Sequence, residues 1–169
     1  MRLRPATEDD IPLLKRWDEH PHVASAGGDD DWYDWDAEIP RDADWGEILI
    51  AEEAGRPVGV VEVIDPAKEP THYWGEIEDN LRALDIWIGE EGDLGRGLGT
   101  QMMRAAFERC FADKAVKAIV IDPLESNHRA RRFYERLGFR VVERRVFGKD
   151  QCAVYRFDRA AFEALAGRG

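Results

Sequence analysis

Residues 81–113, LRALDIWIGEEGDLGRGLGTQMMRAAFERCFAD, decide the fold of this chain. The apolar run at residues 81–89 predicts a β-strand. Residues from Gly97 to about Asp113 predict an amphipathic helix, because apolar side chains recur there at helical spacing: Leu98, Met102, Ala105, Ala106 and Cys110. A strand that passes through a glycine-rich turn into a helix is a typical unit of an α/β protein.

The turn between these two elements predicts a binding site for an anion. Its residues are Leu94, Gly95, Arg96, Gly97, Leu98, Gly99 and Thr100. Glycines allow the backbone to approach a ligand closely, and the N–H groups at the start of a helix suit a pyrophosphate. The spacing fits neither the dinucleotide fingerprint nor the P-loop. The alternative is a turn that only reverses the chain.

The patterns on either side of this segment predict further strands, which complete one mixed sheet, and further helices. Before the turn they predict a strand at residues 2–4, a helix opened by a capping box at Thr7 and Asp10, and a hairpin over residues 48–64. After it they predict a buried strand at 117–123, a helix at 126–137, strands at 139–147 and 151–157, and a last helix from about Arg159. The predicted fold class is α/β, with a mostly antiparallel central sheet flanked by helices in a single domain over residues 1–169.

The composition excludes several classes of protein. The chain has 169 residues, of which 44% are hydrophobic and 35% charged, as in a globular domain rather than a disordered segment. It has no apolar run of the roughly 20 residues that cross a bilayer and no signal peptide, so we expect a cytoplasmic protein without a membrane partner. Two cysteines and four histidines without ligand spacing predict neither a disulfide framework nor a metal site.

The charge is distributed unevenly along the chain. The net charge of −11 argues against a nucleic-acid partner, but residues 29–93 alone carry −17 and residues 94–169 carry +7. Residues 27–45 combine eight acidic with four aromatic side chains and predict a flap with at most one helical turn. This asymmetry indicates a cationic partner for the acidic half and an anionic one for the basic half, and selection for solubility is the alternative.

A second motif lies in the predicted helix after residue 126. It reads NHRARRFYERLGF over residues 127–139, and Ala130, Phe133, Tyr134 and Leu137 share one helical face. Tyr134 is therefore either a core aromatic or a side chain that presents its hydroxyl to a site.

Together the two motifs resemble those of the GNAT superfamily of acyl-coenzyme A-dependent N-acetyltransferases. The glycine turn is followed about thirty residues later by the pattern N-x-x-A-x-x-x-Y-E-x-x-G-F, in the order and context of that family. Leu94 departs from the family, which often has Gln or Arg at that position. The resemblance implies the GNAT fold and acetyl-coenzyme A as co-substrate. The residues that it implies for donor binding are Ile86, Trp87, Ile88, Leu94, Gly95, Arg96, Gly97, Leu98, Gly99, Thr100, Asn127, Ala130 and Arg132.

Within the superfamily the chain is similar to the aminoglycoside 6'-N-acetyltransferases. The similarity runs from Trp74 through GEIEDNLRALD to the glycine turn, and returns at Ile121-Asp122-Pro123 and Ala153-Val154-Tyr155. It implies that Asp85 is the catalytic base and Tyr134 the general acid in direct acetyl transfer to a cationic small molecule. The acceptor-binding candidates, partly implied by this similarity and partly drawn from the acidic flap, are Asp29, Asp30, Trp32, Trp35, Trp74, Glu76, Glu78, Asp79, Asp85 and Asp122.

Asp85 also stands out without the family. It interrupts an apolar strand just before the glycine turn, where the crevices of α/β sheets open, and a carboxylate buried there needs a partner or a function. A structural ion pair with Arg82 or Arg4 is the alternative, and Glu76, Glu78 and Asp79 are rival bases.

Other functions stay open on the sequence alone. They are a protein, peptide or siderophore-precursor N-acetyltransferase and a non-catalytic acyl-coenzyme A-binding module. Either a monomer or a dimer is compatible with the sequence.

Overall fold

The computed structural model describes residues 1–25 and 34–167. The strands in this part of the chain are β1 (Arg2–Pro5), β2 (Gly46–Glu53), β3 (Arg56–Ile64), β4 (Leu81–Ile88), β5 (Ala118–Ile121), β6 (Arg140–Phe147) and β7 (Asp150–Asp158). The helices are α1 (Ile11–Asp18), α2 (Pro21–Ala24), α3 (Trp35–Glu38), α4 (Leu98–Ala112), α5 (His128–Arg136) and α6 (Arg159–Ala166), and 3-10 turns lie at Glu8–Asp10 and Glu91–Asp93.

The strands form a seven-stranded sheet in the order β1-β2-β3-β4-β5-β7-β6. The pairs β1–β2, β5–β7 and β6–β7 are antiparallel, and β4 pairs with β5 in parallel from Leu81–Ala118 to Ala83–Val120. This mixed sheet with helices confirms the predicted α/β class. The predicted hairpin is confirmed as β2 and β3, because Ala54 and Gly55 take the left-handed backbone conformation that a two-residue turn requires.

The chain divides into two compact units, each built from two separate segments. The first unit contains residues 1–63 and 85–106, and the second contains residues 64–84 and 107–169. The boundary falls inside β4, so that this strand contributes its first half to the second unit and its second half to the first. The predicted domain boundaries of residues 1–169 stay a prediction.

The core of the first unit forms where α1 and α3 pack on the sheet. Leu14, Trp17 and Trp35 bury their side chains there against Ile50 and Val60. A Cβ atom added to Gly89 would lie only 2.0 Å from the Trp17 ring. Trp17 also donates its indole N–H to Glu90 over 2.9 Å. Helix α1 is thereby packed directly on the end of β4.

The core of the second unit surrounds β5, whose four residues are all buried as its continuous apolar run predicts. Trp74, Leu81, Val120 and Phe147 form one cluster of this core. The pairing of β5 between β4 and β7 explains why its residues are apolar on both faces.

Candidate functional site

The glycine turn opens helix α4 in the conformation that the sequence predicts. Gly95 and Gly97 have φ angles of 75° and 78°, a region that L side chains rarely adopt. A Cβ atom placed on either glycine would have no neighbour within 4 Å. Helix α4 begins at Leu98, and the N–H groups of its first turn have no intrahelical acceptor. An accessible backbone at a helix N-terminus fits the pyrophosphate of coenzyme A.

A buried carboxylate, Asp93, lies directly before this turn. Asp93 is 5% exposed and accepts two hydrogen bonds from Arg56, over 2.7 and 2.9 Å. It also accepts from Arg96, whose guanidinium contacts Glu53 over 3.3 Å as well. Arg56 begins β3, so Asp93 links the glycine turn to the β2–β3 hairpin. Sequence reasoning missed Asp93 and Arg56, although the position of Asp93 next to the glycine turn was a usable signal.

The hydrogen bond from Arg56 holds the pKa of the Asp93 carboxyl below its usual value. Arg4 has the same effect on the pKa of Asp10, which it contacts through two hydrogen bonds of 2.7 and 2.8 Å. A carboxyl whose pKa is lowered by folding stabilises the fold fully above its pKa in the unfolded chain. That stabilisation is lost as the pH falls through the lower pKa of the folded state, so both carboxylates contribute to sensitivity to acid.

Asp85 lies on β4 with its side chain exposed, which corrects the expectation of a buried carboxylate. Because side chains alternate along a strand, Asp85 shares a face with Trp87, whose ring lies 6.1 Å from that of Trp35. The arginines considered as ion-pair partners contact other carboxylates: Arg4 binds Asp10 and Glu52, and Arg82 contacts Asp65 and Asp113. The exposure of Asp85 leaves it accessible to solvent and lowers the cost of its charge.

The end of β4 has backbone groups that point away from β3. The N–H of Gly89 donates to Val58 of β3 over 3.0 Å, so the backbone groups of Ile88 point away from β3. His22 of α2 lies 2.9 Å from the Ile88 carbonyl oxygen through its Nε2 atom. Because a carbonyl only accepts, Nε2 carries the proton, and His22 fixes α2 to the end of β4. His22 was not among the residues predicted for the site.

In the second unit, α5 holds Tyr134 in a mostly apolar setting. The Asn127 side chain caps the helix by accepting the Ala130 N–H over 3.0 Å. Tyr134 is 9% exposed, and its ring lies 5.2 Å from Phe133 and 5.7 Å from Phe139. The ring of Tyr134 is therefore a core aromatic, which is the first of the two alternatives that the sequence leaves open. This packing fixes the direction of the hydroxyl and is compatible with a role as an acid.

Asp122 lies just after β5, also in the second unit, where it accepts a hydrogen bond of 2.5 Å from the hydroxyl of Tyr73. Tyr73 is 48% exposed and stacks on Phe147, with 4.6 Å between the ring centroids and 8° between the planes. Trp74, the predicted acceptor residue, is only 4% exposed and packs edge-on against the same Phe147. The exposed aromatic face is therefore that of Tyr73, whose place beside Trp74 in a polar loop was a usable signal.

Two other predicted acceptor residues have structural roles. Trp35 is 1% exposed in the core of the first unit, so it offers no face to a sugar ring. The acidic residues around Trp35 suggested an exposed side chain. Burial is possible because the indole N–H donates to the Asp18 carboxylate. Glu78 accepts from Lys117 and Arg156, both over 3.0 Å, and the bond from Lys117 is the largest cause of its lowered pKa. These ion pairs argue against Glu78 as a free ligand or base.

The remaining predicted residues are placed as follows. Glu76, Asp79 and Arg132 are exposed. Asp29, Asp30 and Trp32 lie outside the described residues. Within the described ranges 1–25 and 34–167, no three His, Cys, Asp or Glu side chains are grouped to hold a metal ion. In the same residues, no helix combines the length and apolar character needed to cross a membrane.

Known proteins with similar sequences include acetyltransferases. A family model described as an acetyltransferase (GNAT) domain matches residues 6–147. An aminoglycoside N(6')-acetyltransferase type 1 from Klebsiella pneumoniae is 33% identical over 178 residues, which cover 95% of this chain and 84% of that protein. A kanamycin resistance protein from Rhizobium radiobacter is 41% identical over 99 residues, or 56% of this chain and 89% of the relative.

A solved structure agrees with the sequence relatives. The aminoglycoside acetyltransferase AAC(6')-Ib in complex with coenzyme A superposes with a TM-score of 0.85 at 27% identity, covering 97% of this chain and 98% of that one. The predicted GNAT resemblance is therefore confirmed over most of the chain. The chain belongs to the GNAT family of acetyltransferases.

Proposed function

We propose that this protein transfers the acetyl group of acetyl-coenzyme A to the 6'-amino group of an aminoglycoside. The observation that carries the proposal is the glycine turn at the start of α4, where Gly95 and Gly97 leave the backbone open. The similarity to aminoglycoside N(6')-acetyltransferases supports the choice of acceptor. We propose the cytoplasm as the place of action.

The donor would bind along the glycine turn. The N–H groups of Leu98, Gly99 and Thr100 would donate to the pyrophosphate, assisted by the dipole of a helix fifteen residues long. The backbone of Ile86 and Ile88 would bind the part of the donor next to the acetyl group. Bound in this way, coenzyme A supplies an acetyl group activated as a thioester.

The acceptor would bind next to Tyr73 and Asp122. A cationic sugar suits a carboxylate beside an exposed aromatic face, because the carboxylate pairs with an ammonium group and the ring packs on the sugar. The exposed carboxylates of Glu76 and Asp79 would add to the field that attracts a polycation.

Two groups would move protons during the transfer. Asp85 would take a proton from the acceptor's ammonium group, directly or through one water, which gives the nitrogen the lone pair with which it attacks the thioester carbon. The carbon–nitrogen bond then forms, the carbon–sulfur bond breaks, and the new amide nitrogen releases its second proton to solvent. The hydroxyl of Tyr134 would protonate the departing thiolate and regain a proton from solvent. No covalent bond to the enzyme is needed.

The proposal is tested by measuring thiol release with purified protein, acetyl-coenzyme A and a panel of acceptors. Two aminoglycosides that differ only in an amino or a hydroxyl group at the 6' position form the decisive pair. We expect rapid release with the 6'-amino compound and only background release with the 6'-hydroxyl compound. Equal release with both compounds would exclude the 6' position, and release with basic peptides alone would exclude the aminoglycoside acceptor.

Asp122→Asn is expected to raise the KM for the aminoglycoside about tenfold and to leave the KM for acetyl-coenzyme A unchanged, because one hydrogen-bonded charge pair is lost. Tyr73→Phe keeps the stacked ring and should have a smaller effect. Steady-state kinetics with each substrate varied measure both constants. Glu143→Gln removes the same charge from the exposed strand β6 and serves as the control. A similar increase in that variant would show that only net charge matters.

A further inference from the structure

We propose that Asp93 is a positioning residue for donor binding, which it serves by fixing the shape of the glycine turn through Arg56 and Arg96. This inference rests on the proposed function, since it assumes that the turn binds coenzyme A. Asp93 itself would not touch the donor. It would act by holding residues 94–97 in the conformation that leaves the N–H groups at the start of α4 accessible to the donor.

The first argument is that packing does not hold the two glycines of the turn, Gly95 and Gly97. Gly95 and Gly97 both have positive φ angles, and no heavy atom lies within 4 Å of the place where a Cβ would be. Glycines lose more conformational freedom on ordering than other residues do. Two glycines without packing at their own positions therefore need another restraint if this part of the turn is to be ordered before the donor binds.

The second argument is that polar contacts of Asp93 provide this restraint. The Asp93 side chain is nearly buried and accepts hydrogen bonds from two guanidinium groups. One belongs to Arg56 of β3, and the other belongs to Arg96 of the glycine turn. Arg96 is the residue between the two glycines, so its bond to Asp93 closes the turn on itself. The two parallel hydrogen bonds from Arg56 then attach the turn to the first residue of β3. Bidentate pairs of this kind fix orientation as well as distance.

The consequence is a preorganised binding site. When the turn is already ordered, binding of the donor carries no entropic cost for ordering flexible backbone. The restraint therefore increases the affinity for the donor without a contact to it. A competing explanation, in which Arg96 binds the phosphates directly, predicts that Asp93 weakens donor binding. If Arg96 were itself a phosphate ligand, Asp93 and Glu53 would hold its charge away from the donor, and removing Asp93 would strengthen binding.

The test is the affinity of purified protein for coenzyme A, measured by calorimetry. We expect Asp93→Asn to raise the Kd about tenfold, with little change in kcat at saturating donor or in the KM for the acceptor. Arg96→Gln should weaken binding to a similar degree. The double variant should be no worse than either single one, because both changes break the same restraint. An unchanged or lower Kd in Asp93→Asn would overturn the proposal.

A general loss of stability is separated by the matched variant Asp10→Asn. Asp10 is 7% exposed and forms a bidentate pair with Arg4 in the same unit, so its loss should lower Tm by a comparable amount. Its Kd for coenzyme A should stay at the value of the unaltered protein. A rise in Kd in both variants would show that Asp93 affects donor binding only through the general stability of the fold. If Asp93→Asn does not fold, Arg56→Lys, which keeps the charge but not the bidentate pair, replaces it with the same expected direction.

Gly97→Val separates this inference from the proposed function. A side chain at Gly97 would strain the turn itself, so it should abolish binding whatever Asp93 does. Coenzyme A binding that survives in this variant, or is missing in the unaltered protein, would overturn the proposed donor site and the inference with it. Binding that is lost with Gly97→Val and kept with Asp93→Asn would overturn the inference alone.

Discussion

Asp85→Asn is expected to slow acetyl transfer by roughly a hundredfold or more, the usual effect of removing a general base. The amide keeps the size and hydrogen-bonding capacity of the side chain but cannot accept the proton of the acceptor's ammonium group. Because Asp85 is exposed on β4, its replacement should have little effect on the packing of the core. Single-turnover measurements of thiol release at saturating substrates report the chemical step directly.

The control measurements for Asp85 are Tm and the affinity for coenzyme A. Both should stay at the values of the unaltered protein, since the side chain belongs neither to the core nor to the donor site. A variant that turns over at the normal rate would place the base elsewhere, with Glu76 and Asp79 as the exposed alternatives. A large drop in Tm would instead show that Asp85 has a structural role.

Gly89→Ala is expected to destabilise the fold by about 3 kcal/mol, at the upper end of the usual cost of overpacking. The added methyl group would lie 2.0 to 2.4 Å from three atoms of the Trp17 ring, which is fully buried and cannot move aside. In a chain of this size such a loss lowers Tm by roughly 10 °C. Thermal and denaturant unfolding followed by circular dichroism measure the change.

Gly92→Ala provides the matched control, three residues further along the chain. A Cβ at Gly92 would have nothing within 4 Å, and its φ angle does not lie in the left-handed region. Its stability should stay within about 0.5 kcal/mol of the unaltered protein, as for most surface substitutions. Equal stability of the two variants would show that Trp17 does not restrict the space at Gly89.

The elements that sequence reasoning predicted correctly have local signals. The four residues of β5 form a continuous apolar run, and the two-residue turn at Ala54 and Gly55 separates two β-rich segments. The glycine turn combines a strand before it with an amphipathic helix after it. In each case the signal lies in neighbouring residues, so the pattern in the sequence is sufficient to predict the element.

The features that were missed or wrong depend on partners far away in the chain. Arg56 and Asp93 are 37 residues apart, and His22 reaches Ile88 across 66 residues. Nothing in the residues next to Trp35 shows that it will be enclosed by α1 and the sheet. The accessibility of Asp85 likewise depends on which groups lie opposite its strand, and the apolar neighbours in sequence suggested burial instead.

The division of β4 and α4 between two units has a consequence for how the chain is made. In the growing chain residues 1–63 are made before residues 85–106, and their unit is complete only once both segments are present. The unit that contains residues 64–84 is completed later, because it also needs residues 107–169. Neither unit corresponds to a continuous fragment, so no single cut separates two independent folding halves. We therefore expect the folding of this chain to depend on contacts between segments that are distant in sequence.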